Sequence, residues 1–185
     1  PGEGAMAAIL GLDRALVAQA CDEAKDAGAV QLANLNGPGQ TVIAGATAAV
    51  KKAADLAKAR GAKRAVLLPV SAPFHSALLE PAAERLAGVL RGIRFRDLAM
   101  PLVTNVDADL LTEAARVPET LVRQVTAPVR WEEVVRRLAA EGVTACVEVG
   151  PGKVLSGLIR RIVPEVQVLN VEDRASLHAT LEALR

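Results

Sequence analysis

The sequence is poor in aromatic side chains. Of its 185 residues none is tyrosine, two are phenylalanine and one is tryptophan, together 2% of the chain. A core must then be built from Ala, Val and Leu, which an apolar content of 51% allows. The stacking surfaces common in nucleic-acid readers are missing as well. A formal net charge of +1 removes the electrostatic case for nucleic acid. Sixteen of the 22 basic residues are arginine, which together with the abundant alanine fits coding bias. Cysteine is scarce: Cys21 and Cys146 are too few and too far apart for a disulfide framework or a zinc knuckle. They fit small buried hydrophobes in a reducing, cytoplasmic setting. No apolar run approaches the ~20 residues of a membrane span. The opening, Pro1-Gly-Glu-Gly-Ala-Met6, lacks the basic and apolar regions of a signal peptide. It has no initiator methionine, so the expectation is of a chain that begins inside a larger protein.

Apolar runs alternate with helical patterns through the first 70 residues. Ala5–Leu12 reads as a strand. Asp13 then caps a helix through Ala27, with Leu16, Val17, Ala20 and Ala24 on one face, and Gly28 stops it. Val30–Leu35 and Thr41–Ala44 read as strands paired across the turn Asn36-Gly-Pro-Gly39. Thr47 caps a second helix, which Gly61 ends, and Arg64–Val70 reads as a buried fourth strand. The order β-α-β-β-α-β is the split βαβ pattern of ferredoxin-like folds. Farther on, helices are expected over 78–90, 118–125, 130–141, 154–162 and 176–184. Short strands are expected over 101–105, 144–149 (buried) and 166–171. Alternation of this kind implies a mainly parallel sheet layered by helices. The fold class is therefore α/β, with a break near residue 68.

His75, in Val70-Ser-Ala-Pro-Phe-His-Ser76, is the leading candidate for chemistry. It lies where an apolar strand gives way to a helix, the end at which α/β proteins build their sites. A neutral imidazole there can act as general base if a second group holds its other nitrogen. The plainer alternative is a histidine that caps the next helix or packs at the strand end. No nucleophile is in view: Ser71, Ser76 and Ser156 all lie outside Gly-x-Ser-x-Gly. Gly150-Pro-Gly-Lys153 could offer backbone N–H groups to an anion or be a tight turn into a helix, with Glu148 accepting bonds from it. It is not a Walker A loop, because Val147 and Val154 stand where Gly and Ser/Thr are required. Asn34 and Asn36 bracket a turn, as asparagine often does, or else point amides into a cleft. No Cys/His/carboxylate cluster has metal-ligand spacing.

Six runs, in order along the whole chain, resemble the malonyl-CoA:acyl-carrier-protein transacylases. They are Gly4–Leu12, Asn34–Gly45 (NLNGPGQTVIAG), Gly61–Arg64, Val70–Ser76, Leu121–Trp131 (LVRQVTAPVRW) and Glu148–Leu158 (EVGPGKVLSGL). The resemblance implies a ferredoxin-like small subdomain, residues 1–68. It also implies part of an α/β-hydrolase-like large subdomain, residues 69–185. It implies ping-pong transfer of malonyl from coenzyme A, through a serine ester, to the phosphopantetheine thiol of acyl carrier protein, with no cofactor. His75 falls on the family's catalytic histidine, and Gln124 on the residue whose backbone carbonyl holds that ring. Asn36 and Asn34 would line the cleft between subdomains. Phe74 matches the Phe-His pair of malonyl-selective members, a weak cue because some malonyl enzymes carry Ser-His.

The family's Gly-His-Ser-x-Gly elbow, its N-terminal glutamine loop and its malonyl-binding arginine have no counterpart in these 185 residues. The expectation is a C-terminal portion that supplies the histidine half of a Ser-His site and is inactive alone. Its missing N-terminal part would be a partner, alongside acyl carrier protein and malonyl-CoA. Two alternatives stand beside this reading: an acyltransferase domain of a polyketide or fatty-acid synthase, and a non-catalytic module that binds carrier protein.

Overall fold

The computed structural model describes residues 4–70 and 72–185. The chain forms two compact units, one running to Trp131 and the other from Glu132 to Arg185.

The first unit opens with β1 (Gly4–Leu10), α1 (Arg14–Glu23), β2 (Val30–Gly37), β3 (Gln40–Ala46), α2 (Thr47–Ala59) and β4 (Arg64–Leu67). The strand order is β2-β3-β1-β4, every neighbour antiparallel. Period-two alternation along β1 sends Ala7 and Ile9 into one cluster with Val17, Ala20, Ile43 and Val50, while Met6 joins Ala33, Val42 and Ala44 in another. The many alanines at these positions let α1 and α2 lie close on the sheet without large side chains between them. Each fully buried Ile or Val contributes roughly 1.5–3 kcal/mol against exposure.

The β2–β3 turn follows its residues. Gly37 pairs with Gln40, so Pro38 and Gly39 are the two corner positions. Proline presets the first corner, and Gly39 takes φ +65° at the second, which a side chain would resist.

Several boundaries differ from the sequence expectation. Asp13 caps α1 as expected, its carboxylate accepting from Ala15 N–H at 2.8 Å. The helix stops at Glu23, however, and continues as a tighter 3-10 turn over Lys25–Ala27. Thr47 is not a cap but the first helical residue, because β3 runs directly into α2 and Ala46 holds the cap position. β4 is shorter than expected and is not buried: Val66 and Leu67 are nearly half exposed. β4 is an edge strand, and only its Ala65 side packs against the helix-covered cluster.

Beyond β4 come α3 (Glu80–Leu90), the two-residue antiparallel pair β5 (Leu102–Val103) and β6 (Leu110–Leu111), and α4 (Val117–Thr126). Pro81 and Pro118 sit in the first turns of α3 and α4, where a missing N–H costs nothing. α4 ends before Pro128, which has no N–H for the carbonyl of Gln124 four residues back and holds Ala127 extended. The next residue, Val129, lies beside β2: its N–H donates to Ala33 and its carbonyl accepts from Leu35, both at 2.8 Å.

α5 (Trp131–Ala140) leads into the second unit, where β7 (Ala145–Val149), α6 (Val154–Ile162) and β8 (Gln167–Val171) form a parallel β-α-β unit. α7 (Arg174–Ala183) closes it, started by a capping box between Asp173 and Ser176. β7 was expected to be buried, but Val147 and Val149 are exposed, since β8 is its one neighbour among the described strands. No described helix is long and apolar enough to cross a membrane.

Candidate active site

His75 follows β4 by eight residues, two residues after Pro73, which lies against Gly4 of β1. Gly4 makes this approach possible: a Cβ there would lie 2.5 Å from the Pro73 ring. The His75 backbone has φ +57°, the left-handed region that side chains resist. Ser76 is buried beside it and donates its hydroxyl to the Pro73 carbonyl at 2.6 Å.

The His75 ring meets Gln124. Its Nδ1 lies 3.0 Å from the Gln124 carbonyl oxygen, across 49 residues of sequence. A carbonyl only accepts, so Nδ1 is the donor, and Nε2 of the neutral ring keeps its lone pair. The Gln124 carbonyl is available because the residue four farther on is Pro128. That is a signal the sequence carried: a proline just past a helix end frees a named carbonyl.

The other expected site residues stand at different distances from this pair. Phe74 precedes His75 and is about half exposed. Asn34 lies on β2 at the bridge to Val129, and through that bridge it is tied to the segment after α4. Asn36 is two residues farther toward the hairpin turn. No hydrogen bond of either asparagine side chain to His75 or Gln124 is present among the described residues.

Gln31, not singled out by sequence, also belongs here. Its amide nitrogen donates to the carbonyls of His75 (3.2 Å) and Thr126 (3.1 Å), and its Oε1 accepts from Ala77 N–H at 3.1 Å. A glutamine within a strand gives no pattern that would mark it.

None of the described serines weighed above is a free nucleophile. Ser76 is engaged with Pro73, and Ser156 donates its hydroxyl to Glu148 at 2.6 Å. Ser71 lies outside the described residues. The Gly150–Lys153 loop already has its own anions. Gly152 N–H donates to Glu172, and Leu155 and Ser156 N–H donate to Glu148 at 3.0 and 2.7 Å. Desolvation pulls the Glu148 carboxyl upward, but the bonds from Ser156 and Leu155 outweigh it and hold the group below its usual value. The reading of this loop as a tight turn into a helix is the one the geometry fits. Cys21 is buried, and desolvation pushes its thiol up to about 12; Cys146 is raised by the same cause.

Known proteins share this chain's sequence and shape. It is 48% identical over 185 residues to the malonyl CoA-acyl carrier protein transacylase of Bacillus subtilis, covering all of this chain and 58% of that one. It is 48% identical over 181 residues to the enzyme of the same name from Escherichia coli K12, covering 98% of this chain and 59% of that one. Among solved structures, a type II PKS acyl-carrier protein in complex with its malonyl-transacylase matches at TM-score 0.96 and 47% identity, with 98% of this chain and 59% of that chain covered. An acyl carrier protein S-malonyltransferase from Vibrio cholerae matches at TM-score 0.94 and 46% identity, over 97% and 58%. The chain thus spans about 58% of the length of the relatives it matches. The family model for the acyl transferase domain matches residues 1–178, and the chain belongs to that family.

Proposed function

We propose that this chain is the histidine-bearing part of an enzyme that moves malonyl from coenzyme A to the phosphopantetheine thiol of acyl carrier protein. The observation that carries the reading is the 3.0 Å contact between His75 Nδ1 and the Gln124 carbonyl. It holds the ring in the tautomer whose Nε2 can take a proton. The substrates are those of its relatives, a malonyl CoA-acyl carrier protein transacylase and a malonyl-transacylase held in complex with its acyl-carrier protein.

The steps are those of a ping-pong transfer. A serine hydroxyl attacks the malonyl thioester carbonyl as its proton passes to Nε2 of His75. The carbon–sulfur bond breaks, and the departing coenzyme A thiolate takes that proton. The phosphopantetheine thiol then gives its proton to Nε2 and attacks the malonyl ester. The serine leaves and recovers its proton from His75. Atoms and charges balance with no further group. The serine is one that these 185 residues do not contain in a Gly-x-Ser-x-Gly elbow, so the chain by itself would not be acylated. Asn34, Asn36 and Phe74 would line the acyl and pantetheine approach to His75.

The same reading names the architecture. The antiparallel order β2-β3-β1-β4 with two helices supports a ferredoxin-like small subdomain over 1–68. The parallel β7–β8 pair supports an α/β-hydrolase-like character for residues 145–171 of the proposed large subdomain, 69–185.

The test is transfer of radiolabelled malonyl from coenzyme A to carrier protein by the intact enzyme that includes these residues, with and without His75→Ala. Loss of the base should slow labelling of the carrier by roughly 10²–10⁴-fold. Carrier labelling at the parent rate in the variant would remove His75 from the mechanism.

A further inference from the structure

Gln31 uses both donors and one acceptor position of its amide on the segments that hold the base. Two donated bonds reach the carbonyls of His75 and Thr126, and one accepted bond comes from Ala77 N–H. The carbonyl of His75 and the amide of Ala77 flank the catalytic loop. Thr126 is two residues beyond Gln124, in the last turn of α4. One side chain on a sheet strand therefore joins the residue that carries the ring to the helix end that carries its acceptor.

The His75 backbone needs such a restraint. A non-glycine residue at φ +57° is strained and persists only where its surroundings over-determine it. Gln31 grips the carbonyl of that same residue. The Thr126 carbonyl, like that of Gln124, lacks its intrahelical donor: the N–H four residues on, Arg130, donates to Asn105 at 2.8 Å. Both helix-end carbonyls thus face the loop, one taken by the ring and one by Gln31.

We infer that Gln31 is a positioning residue that fixes the His75 ring on the Gln124 carbonyl and so sets its tautomer; the catalytic part of this inference rests on the acyl-transfer reading above. Gln31→Glu is the informative change. It keeps the shape and the acceptor for Ala77 but loses both donors and sets a carboxylate against two carbonyls.

The experiment reads the ring nitrogens of His75 by 15N NMR at a pH where the ring is neutral, alongside thermal unfolding and steady-state kinetics of the intact enzyme. The parent should show Nδ1 protonated. Gln31→Glu should shift the population toward protonated Nε2 and lower kcat by about 10- to 100-fold with little change in the KM for malonyl-CoA. A folded variant with the parent tautomer and kcat would overturn the inference, and so would a lowered unfolding temperature alone. If Gln31→Glu does not fold, Gln31→Met answers the same question. If neither folds, exchange of the Gln31 side-chain amide protons in the parent decides: slow exchange supports the clamp, and exchange at the free-amide rate sinks it. The tautomer is read without any acyl transfer. Full activity of His75→Ala would therefore overturn the acyl-transfer reading while leaving the clamp to its own result.

Discussion

Gly4→Ala is a small change with a calculable consequence. A Cβ at Gly4 would stand 2.5 Å from both Cδ and Cγ of Pro73 and 2.9 Å from its Cβ. Carbon atoms rest at about 3.5–4.0 Å, so the two segments must part by about 1 Å. A proline ring cannot rotate aside. β1 is hydrogen-bonded to β3 along its length, so the loop of Pro73 is the part that yields. Pro73 precedes His75 by two residues and anchors Ser76, so the shift passes to the ring. A displacement of about 1 Å in a catalytic group costs about 10²-fold in rate. Overpacking should also lower stability by about 1–3 kcal/mol. The assay is malonyl transfer by the intact enzyme, with kcat and KM resolved, together with urea unfolding. The expected result is a fall in kcat of about 10²-fold with a modest loss of stability. A folded Gly4→Ala enzyme with kcat within about twofold of the parent would refute the claim that this close approach sets the position of His75.

Glu148→Ala removes the acceptor for the second and third N–H groups of α6 and for the buried Ser156 hydroxyl, and should destabilise the chain by about 2 kcal/mol in urea titrations. Because the folded carboxyl is held below its ordinary 4.5, its contribution is complete above that pH and fades as the pH falls through the folded value. The variant and parent stabilities should therefore converge in acid; a gap that widens there would contradict the sign. Gly157→Ala, inside α6 with nothing within 4 Å of the added Cβ among the described residues, should stabilise by about 0.5–1 kcal/mol. A lowered unfolding midpoint would show that the space is not open.

Much of the fold was legible because the signals are local. The β-α-β-β-α-β order, the Pro38–Gly39 turn, the Asp13 cap and the first-turn prolines each depend on a few adjacent residues. The errors have a common cause. Val66, Leu67, Val147 and Val149 are apolar, but whether a strand's face is covered depends on which strands and helices pack beside it, not on its own composition. Thr47 is a good cap by type, yet the backbone entering from β3 placed Ala46 there instead.

For the site, His75 could be picked out by its residue type and its place after a strand. The identity of its acceptor came with the family resemblance, although Pro128 offered a physical reason for a free carbonyl at Gln124. By itself the sequence determined the order of elements, the turn chemistry and the presence of one candidate base, His75, without a serine elbow. The tertiary structure decided which carbonyl meets the ring, how Gly4 admits the loop and how Gln31 ties it. Those contacts span dozens of residues and form only when β1, β2, the His75 loop and the end of α4 are folded against one another.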